Sequence, residues 1–354
     1  MAVRVPPHWL DCSFYVYRSR EDAMSGKQSG GSGCFVGVPS LHEGWFHFYA
    51  LTNRHVIDQG FGVLRVNTFD GKMGTVETQW GDWEILDESG DVAVMPLDLP
   101  SQFRRKVVLI EEFISRETME QFNIWPGDET FLIGRLINQS GQQRNTPVVR
   151  FGNISLLPDP GEPIDMGQYG PHEAFLVECR SLSGFSGSPV FLTTSQTFTP
   201  KDGKPLRQRK YTGSQIISLN RVDEEAPGGA ASGLKINVIS MTGTFGPWFL
   251  GLDRGHVPLW KPVFERSSST GLIDQHAETN LRVEHNTGIA CVMPAWRIID
   301  ILNKEELVKQ RKKDDEDLSR ENNTATIDDV ADIEAPLTQA DLDASLKQAS
   351  RKKL

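Results

Sequence analysis

Short apolar runs, rich in β-branched and aromatic residues and broken by Gly, Asn, Asp and Pro, recur along most of the chain. Up to about residue 100 they are Ser13–Tyr17, Cys34–Val38, Phe46–Leu51, Val63–Val66 and Val92–Met95. Runs of this length bounded by turn residues predict strands, and their succession, rich in β-branched and aromatic residues, predicts an all-β sandwich or barrel. A less regular stretch containing Arg104-Arg105-Lys106 leads to Trp125-Pro126-Gly127 and reads as a connector. Strand-like runs then resume at Phe131–Ile133, Val148–Phe151, Ala174–Cys179, Pro189–Leu192, Trp248–Leu252 and Gly288–Val292. The expected division is a first barrel over 9–100, a connector over 101–125 and a second barrel over 126–303. Within the last, Ala295–Leu302 changes to helical periodicity, with Trp296, Ile299 and Leu302 on one face.

Two stretches interrupt the second half: 195–245, rich in Gly, Ser and Thr, and 257–284, around Ser267–Thr270. Both are expected to be long hairpin insertions. Beyond Lys304, charges of both signs dominate and apolar residues are sparse until Leu337, which predicts a solvated helix running into a charged, flexible tail over 304–354. Near its end, Leu342 and Leu346 share a helical face and Thr338 is placed to cap it. The segment Pro336–Leu346 reads either as a docking element, for a regulatory protein partner or for the chain's own surface, or as a fraying terminus with accidental periodicity.

Composition narrows the function classes. A chain of 354 residues has ample material for a core, and its net charge of −10 gives no electrostatic case for nucleic acid or an anionic membrane as main partner. No apolar run is long enough to cross a bilayer, and the first residues lack the apolar core of an export signal, so the expectation is a cytoplasmic protein. Cys12, Cys34, Cys179 and Cys291 are scattered in or beside apolar runs without C-x-x-C pairing, as reduced core thiols would be. Lys27 precedes the glycines of Ser29–Gly33, the wrong order for a phosphate loop. His42 and His47 are five apart, which on a strand places them on opposite faces. Neither a metal nor a cofactor is implied.

Three segments carry chemistry together. Ala50-Leu-Thr-Asn-Arg-His55 is a strand ending at a histidine, Ser89-Gly-Asp91-Val-Ala-Val-Met95 sets an aspartate at the head of a buried strand, and Gly184-Phe-Ser186-Gly-Ser-Pro-Val-Phe191 sets a serine in a Gly-flanked turn. A serine hydroxyl is a weak nucleophile and needs an adjacent neutral imidazole, which in turn needs a carboxylate on its other nitrogen. Charge developing on the substrate oxygen needs converging amides, and those of Gly184 and Ser186 are the candidates, since Gly184 lacks a side chain that would block the turn. Each segment alone is ordinary: a core or surface histidine, a turn aspartate, a Gly/Ser/Pro loop. In the order His, Asp, Ser, they read as His55 base, Asp91 orienter and Ser186 nucleophile.

Thr52-Asn-Arg-His-Val, Gly90-Asp-Val-Ala-Val and Gly184-Phe-Ser-Gly-Ser-Pro-Val-Phe resemble the signature blocks of bacterial trypsin-like serine peptidases, and the third is also similar to that of glutamyl endopeptidases. The resemblance runs from Ser13 to about Leu302 and implies a chymotrypsin-like double β-barrel, two six-stranded barrels with the site between them. It implies a protein or peptide substrate. It also sets Arg180 near the floor of the specificity pocket and makes Leu252-Asp-Arg-Gly255 a strand edge for substrate backbone. Arg180 would select an acidic side chain, Asp253 a basic one, or the two neutralise each other, or Arg180 points to solvent; no cleavage preference follows. Two departures stand out: Phe185 occupies the position where animal trypsins carry an aspartate that captures a new N-terminus, and the cysteines of secreted trypsins are missing. The competing readings are a catalytically silent protease-fold binding module and a partner-controlled processing protease of a defence or toxin system.

Overall fold

The computed structural model describes residues 4–85, 90–136, 141–166, 170–179, 184–193, 215–216, 238–239, 247–266 and 273–331. Contacts divide the chain into two units, Met1–Lys304 and Glu305–Leu354. The first half of the larger unit contains β1 (Ser13–Tyr17), α1 (Arg20–Ser25), β2 (Ser29–Pro39), β3 (Phe46–Thr52), α2 (Arg54–Asp58), β4 (Val63–Asn67), β5 (Met73–Glu77), β6 (Glu84–Ile85), β7 (Ala93–Pro96) and β8 (Val108–Leu109). The second half contains α3 (Arg116–Phe122), β9 (Glu129–Gly134), β10 (Val148–Leu156), β11 (Ile164–Asp165), β12 (Pro171–His172), β13 (Phe175–Glu178), β14 (Pro189–Leu192), β15 (Gln215–Ile216), β16 (Val238–Ile239), β17 (Trp248–Arg266), β18 (Ile273–Pro294) and α4 (Ala295–Leu302).

The first half is one eight-stranded sheet in the order β5-β4-β1-β2-β3-β7-β6, with β8 added in parallel to β2. Six of its strands are four residues or longer; β6 and β8, two residues each, are the additions to the six that the family resemblance implies. The sheet curls around a single core, to which β1 gives Phe14 and Val16, β2 Phe35, β3 Ala50, β4 Leu64 and Val66, and β7 Ala93 and Met95. The pleat of β1 explains why its whole run is apolar. Phe14 and Val16 face that core, while Tyr15 and Tyr17 face the other way, into a second cluster with Ala23 and Val63.

The second half closes as a six-stranded barrel, β10-β13-β18-β17-β14-β9, with β9 pairing both β14 and β10. Its core is aromatic: Phe191 stacks on Phe131 at 5.1 Å and meets Phe249 at 5.6 Å, and Trp9 from the N-terminal segment packs edge-on to Phe191 at 5.1 Å. The fold is thus all-β and chymotrypsin-like, with the closing helix α4 in place. The buried face of α4 is Ala295, Ile298, Ile301 and Leu302. Of the face read from the sequence, Leu302 is buried while Trp296 and Ile299 are half-buried; Trp296 lies against Phe175 at 5.6 Å with the Arg116 guanidinium over its ring.

The stretch expected as a hairpin at 257–284 prolongs the β17–β18 ladder, which pairs from Gly251↔Pro294 out to Arg266↔Ile273. Of 195–245, only the β15–β16 pair is described; the rest, with Ser267–Thr270 and Pro336–Leu346, lies outside the described residues. The smaller unit carries α5 (Glu305–Ala331), a polar helix with i,i+4 pairs such as Glu305–Lys309. No helix among the described residues is long and apolar enough to cross a membrane.

Phe191 is fully buried among three aromatic rings, whereas Trp125 is 65% exposed. Phe191→Ala is expected to cost about 3–5 kcal/mol in urea unfolding. Trp125→Ala should stay within about 0.5 kcal/mol. Equal losses would contradict the placement of this core.

Candidate active site

Strand β3 delivers the histidine. Its last residues Leu51 and Thr52 are buried and paired with β7, and the chain then turns at Asn53 into α2, so that His55 sits in the first turn of a short helix and not on the strand itself. Asn53 does not cap this helix with its side chain; its Nδ2 donates to the backbone carbonyl of Asp91 at 3.1 Å, binding the turn to the segment before β7. Asp91 is fully buried, and its carboxylate receives the His55 backbone N–H on Oδ1 at 2.9 Å. The His55 ring Nδ1 lies 3.1 Å from Oδ1 and 2.9 Å from Oδ2. These contacts fix the tautomer that has hydrogen on Nδ1 and leave Nε2 as the basic nitrogen. The imidazole side chain is 19% exposed, so one edge reaches solvent.

The serine arrives on the turn before β14. Gly184 has φ +90° and Gly187 φ +81°, both in the left-handed region that other L-residues rarely adopt. A Cβ on Gly187 would fall 2.0 Å from the Ser32 carbonyl oxygen and 2.6 Å from Thr52 Oγ1, so space as well as dihedral demands glycine. The turn is pinned on both sides. Ser32 N–H donates to the Ser186 carbonyl at 2.8 Å, Gly187 N–H to the Asp253 carbonyl at 2.8 Å, and Asp253 N–H to the Ser188 carbonyl at 2.9 Å. Phe185 is fully buried, with the Arg150 guanidinium 4.9 Å over its ring. The amides of Gly184 and Ser186 meet no acceptor among the described residues.

The hydroxyl of Ser186 donates to the backbone carbonyl of Arg254, 3.3 Å away, and makes no hydrogen bond to His55. The same Arg254 sends its Nε to Asp91 Oδ2 at 3.0 Å, with the guanidinium side chain 5% exposed. Arg254 is not among the residues that the sequence singles out, although the segment Leu252–Gly255 contains it. The available signal was the pair Asp253-Arg254 following the apolar run of β17: neighbouring charges inside a barrel strand require partners. Asp253 is fully buried, and its Oδ1 accepts the Gly255 N–H at 2.9 Å. Gly255, with φ +138°, has open space where a Cβ would be. Arg180 lies outside the described residues.

The four cysteines are buried free thiols. Burial pushes the Cys291 thiol up to about 12, partly offset by Arg254 and reinforced by Asp253 and Asp91, so this thiol lies within electrostatic reach of the site and stays protonated. Among the described residues, no cluster of His, Cys, Asp and Glu could hold a metal ion.

A curled sheet supplying His55 and Asp91 and a closed barrel supplying Ser186 together define a chymotrypsin-like protease fold. No protein-family model matches the chain, and no curated protein is similar to it in sequence. Among solved structures it is similar to the MamO protease domain from Magnetospirillum magneticum in its apo form, at 12% identity and TM-score 0.41, over 82% of this chain and 94% of that one. It is also similar to the HtrA-type protease AlgW with decapeptide, at 14% identity and TM-score 0.37, over 80% of this chain and 52% of that one. A third, Deg5, has 16% identity and TM-score 0.32 over 52% of this chain and 80% of that one.

Glycine substitutions separate the site from ordinary turns. Gly60 has φ +82° with nothing near an added Cβ, so Gly60→Ala should cost only backbone strain, about 1–2 kcal/mol. Gly187→Ala adds the clash with Ser32 and should cost at least about 3 kcal/mol in thermal or urea unfolding. Equal costs would show that the serine turn is not held against β2 as described.

Proposed function

We propose that this chain is a serine endopeptidase, with Ser186 as nucleophile, His55 as general base and Asp91 as its orienter. The observation that carries the reading is the fully buried Asp91 carboxylate, bonded to both the backbone N–H and the ring Nδ1 of His55. A buried carboxylate in this position holds the imidazole in one tautomer and stabilises the imidazolium that forms when the serine proton moves to Nε2. Ser186 Oγ then attacks the scissile carbonyl, and the amides of Gly184 and Ser186 receive the developing oxyanion. His55 returns the proton to the leaving amine, an acyl-enzyme forms on Ser186, and water releases it by the same exchange in reverse.

The substrates of this chemistry are proteins or peptides, in the cytoplasm by the sequence expectation. Gly255, with open space beside it, suits the edge of β17 to pairing with substrate backbone. Asp253 suits a structural role better than selection of a basic side chain, since its carboxylate is turned to the Gly255 amide. The likeness of the serine block to glutamyl endopeptidases brings no cleavage preference with it.

One observation favours a second reading, a silent protease-fold binding module: the Ser186 hydroxyl is held by the Arg254 carbonyl and not by His55. The two readings part on active-site labelling. A fluorophosphonate probe should label the native chain at Ser186 and leave Ser186→Ala unlabelled and folded. Peptide hydrolysis in that variant should drop by about 10⁴-fold or more. A native chain that resists the probe and hydrolyses peptides no faster than Ser186→Ala would establish the silent module instead.

A further inference from the structure

Arg254 touches two of the three groups to which the proposed mechanism assigns chemistry. Its Nε donates to Asp91 Oδ2 at 3.0 Å, on the oxygen that also faces His55 Nδ1 at 2.9 Å, and its backbone carbonyl accepts the Ser186 hydroxyl at 3.3 Å. The guanidinium side chain is 5% exposed and Asp91 is not exposed at all, so water does little to screen this pair. The other acid of the strand, Asp253, turns its Oδ1 to the Gly255 amide. Asp91 faces the Arg254 guanidinium on one side and the imidazole on the other.

Resting on the peptidase reading, we propose that Arg254 is a positioning residue that restrains the site: its guanidinium holds the Asp91 carboxylate in place and opposes the imidazolium that His55 must become. The physical reason is a competition for one carboxylate. When His55 takes the serine proton, the new positive charge is stabilised by Asp91 and opposed by any like charge nearby. A neutral donor at Oδ2 would hold the carboxylate equally well without that opposition. The guanidinium instead compensates the buried carboxylate already in the resting state, when His55 is neutral, so less of its field is left for the transition state. Interactions that favour the ground state over the transition state slow the chemical step without weakening substrate binding.

The test removes the charge, and Arg254→Gln also keeps a donor near the position of Nε. Arg254→Gln and Arg254→Ser both leave the backbone carbonyl that holds Ser186, so they isolate the side chain, and the two differ enough in size that one can succeed where the other packs poorly. Fluorophosphonate labelling rates, kcat and KM on a peptide substrate, and melting temperature are measured for native chain, both neutral variants and Arg254→Lys. Loss of a like charge at this range should raise the labelling rate and kcat about tenfold, with KM unchanged. Arg254→Lys, which keeps the charge, should stay with the native chain. A residue with a merely structural role gives no gain of rate in any variant. If the native chain labels but a folded neutral variant reacts no faster, or if Arg254→Lys gains as much as the neutral ones, the proposal is overturned and the peptidase reading stands. If neither native chain nor any variant labels, the peptidase reading itself has failed, and the proposal with it.

Discussion

The constraint on which the site depends is a carboxylate with no access to water. Removing an ion from water carries a penalty of several kcal/mol unless charges and hydrogen bonds replace the lost solvent. Asp91 has both: two donors from His55 and one from Arg254, on two oxygens. His55 comes from the curled sheet and Arg254 from the closed barrel, so satisfying this carboxylate joins the two halves of the larger unit at one point. Asn53 strengthens the same node through the Asp91 backbone, and neither the turn after β3 nor the segment before β7 can shift without unpairing a buried group.

A second set of contacts places the serine relative to that node. Thr52 Oγ1 donates to the Ser32 carbonyl at 2.7 Å, while Ser32 N–H holds the Ser186 carbonyl. The strand that leads to the histidine is therefore linked to the turn that carries the serine through one residue of β2. The close approach this requires leaves no room for a side chain at Gly187. Phe185, fully buried with the Arg150 guanidinium over its ring, adds a packing anchor to these hydrogen bonds.

How much of this could be read from the sequence depends on how local each determinant is. His55, Asp91 and Ser186 stand out in the sequence as candidates because each lies in a short segment where residue type, flanking glycine or strand pattern, and order along the chain agree. The all-β architecture was legible for the same reason, its strands being apolar runs with turn residues at both ends. The two-residue strands β6 and β8 are too short to show a period. The helical period of α4 marks Trp296, Ile299 and Leu302 as one face but not which face is most buried: Leu302 is buried, while Trp296 and Ile299 are half-buried, with Trp296 against Phe175 and Arg116. The short helix that carries His55 has no pattern of its own, and Asn53 just before it is bonded to the Asp91 backbone, far away in sequence. Arg254 was illegible in its role: nothing near it in sequence shows that it faces a residue 163 positions earlier.

The central claim is that the buried Asp91 carboxylate holds the His55 ring through Nδ1, and proton NMR tests it most directly. The account predicts an imidazole N–H resonance far downfield in the native chain. The signal should persist in Ser186→Ala, where the serine hydroxyl is gone but the carboxylate and imidazole are intact, and should vanish in His55→Ala. A native spectrum without that resonance, or one in which it survives the loss of His55, would contradict the arrangement on which the rest of the account is built.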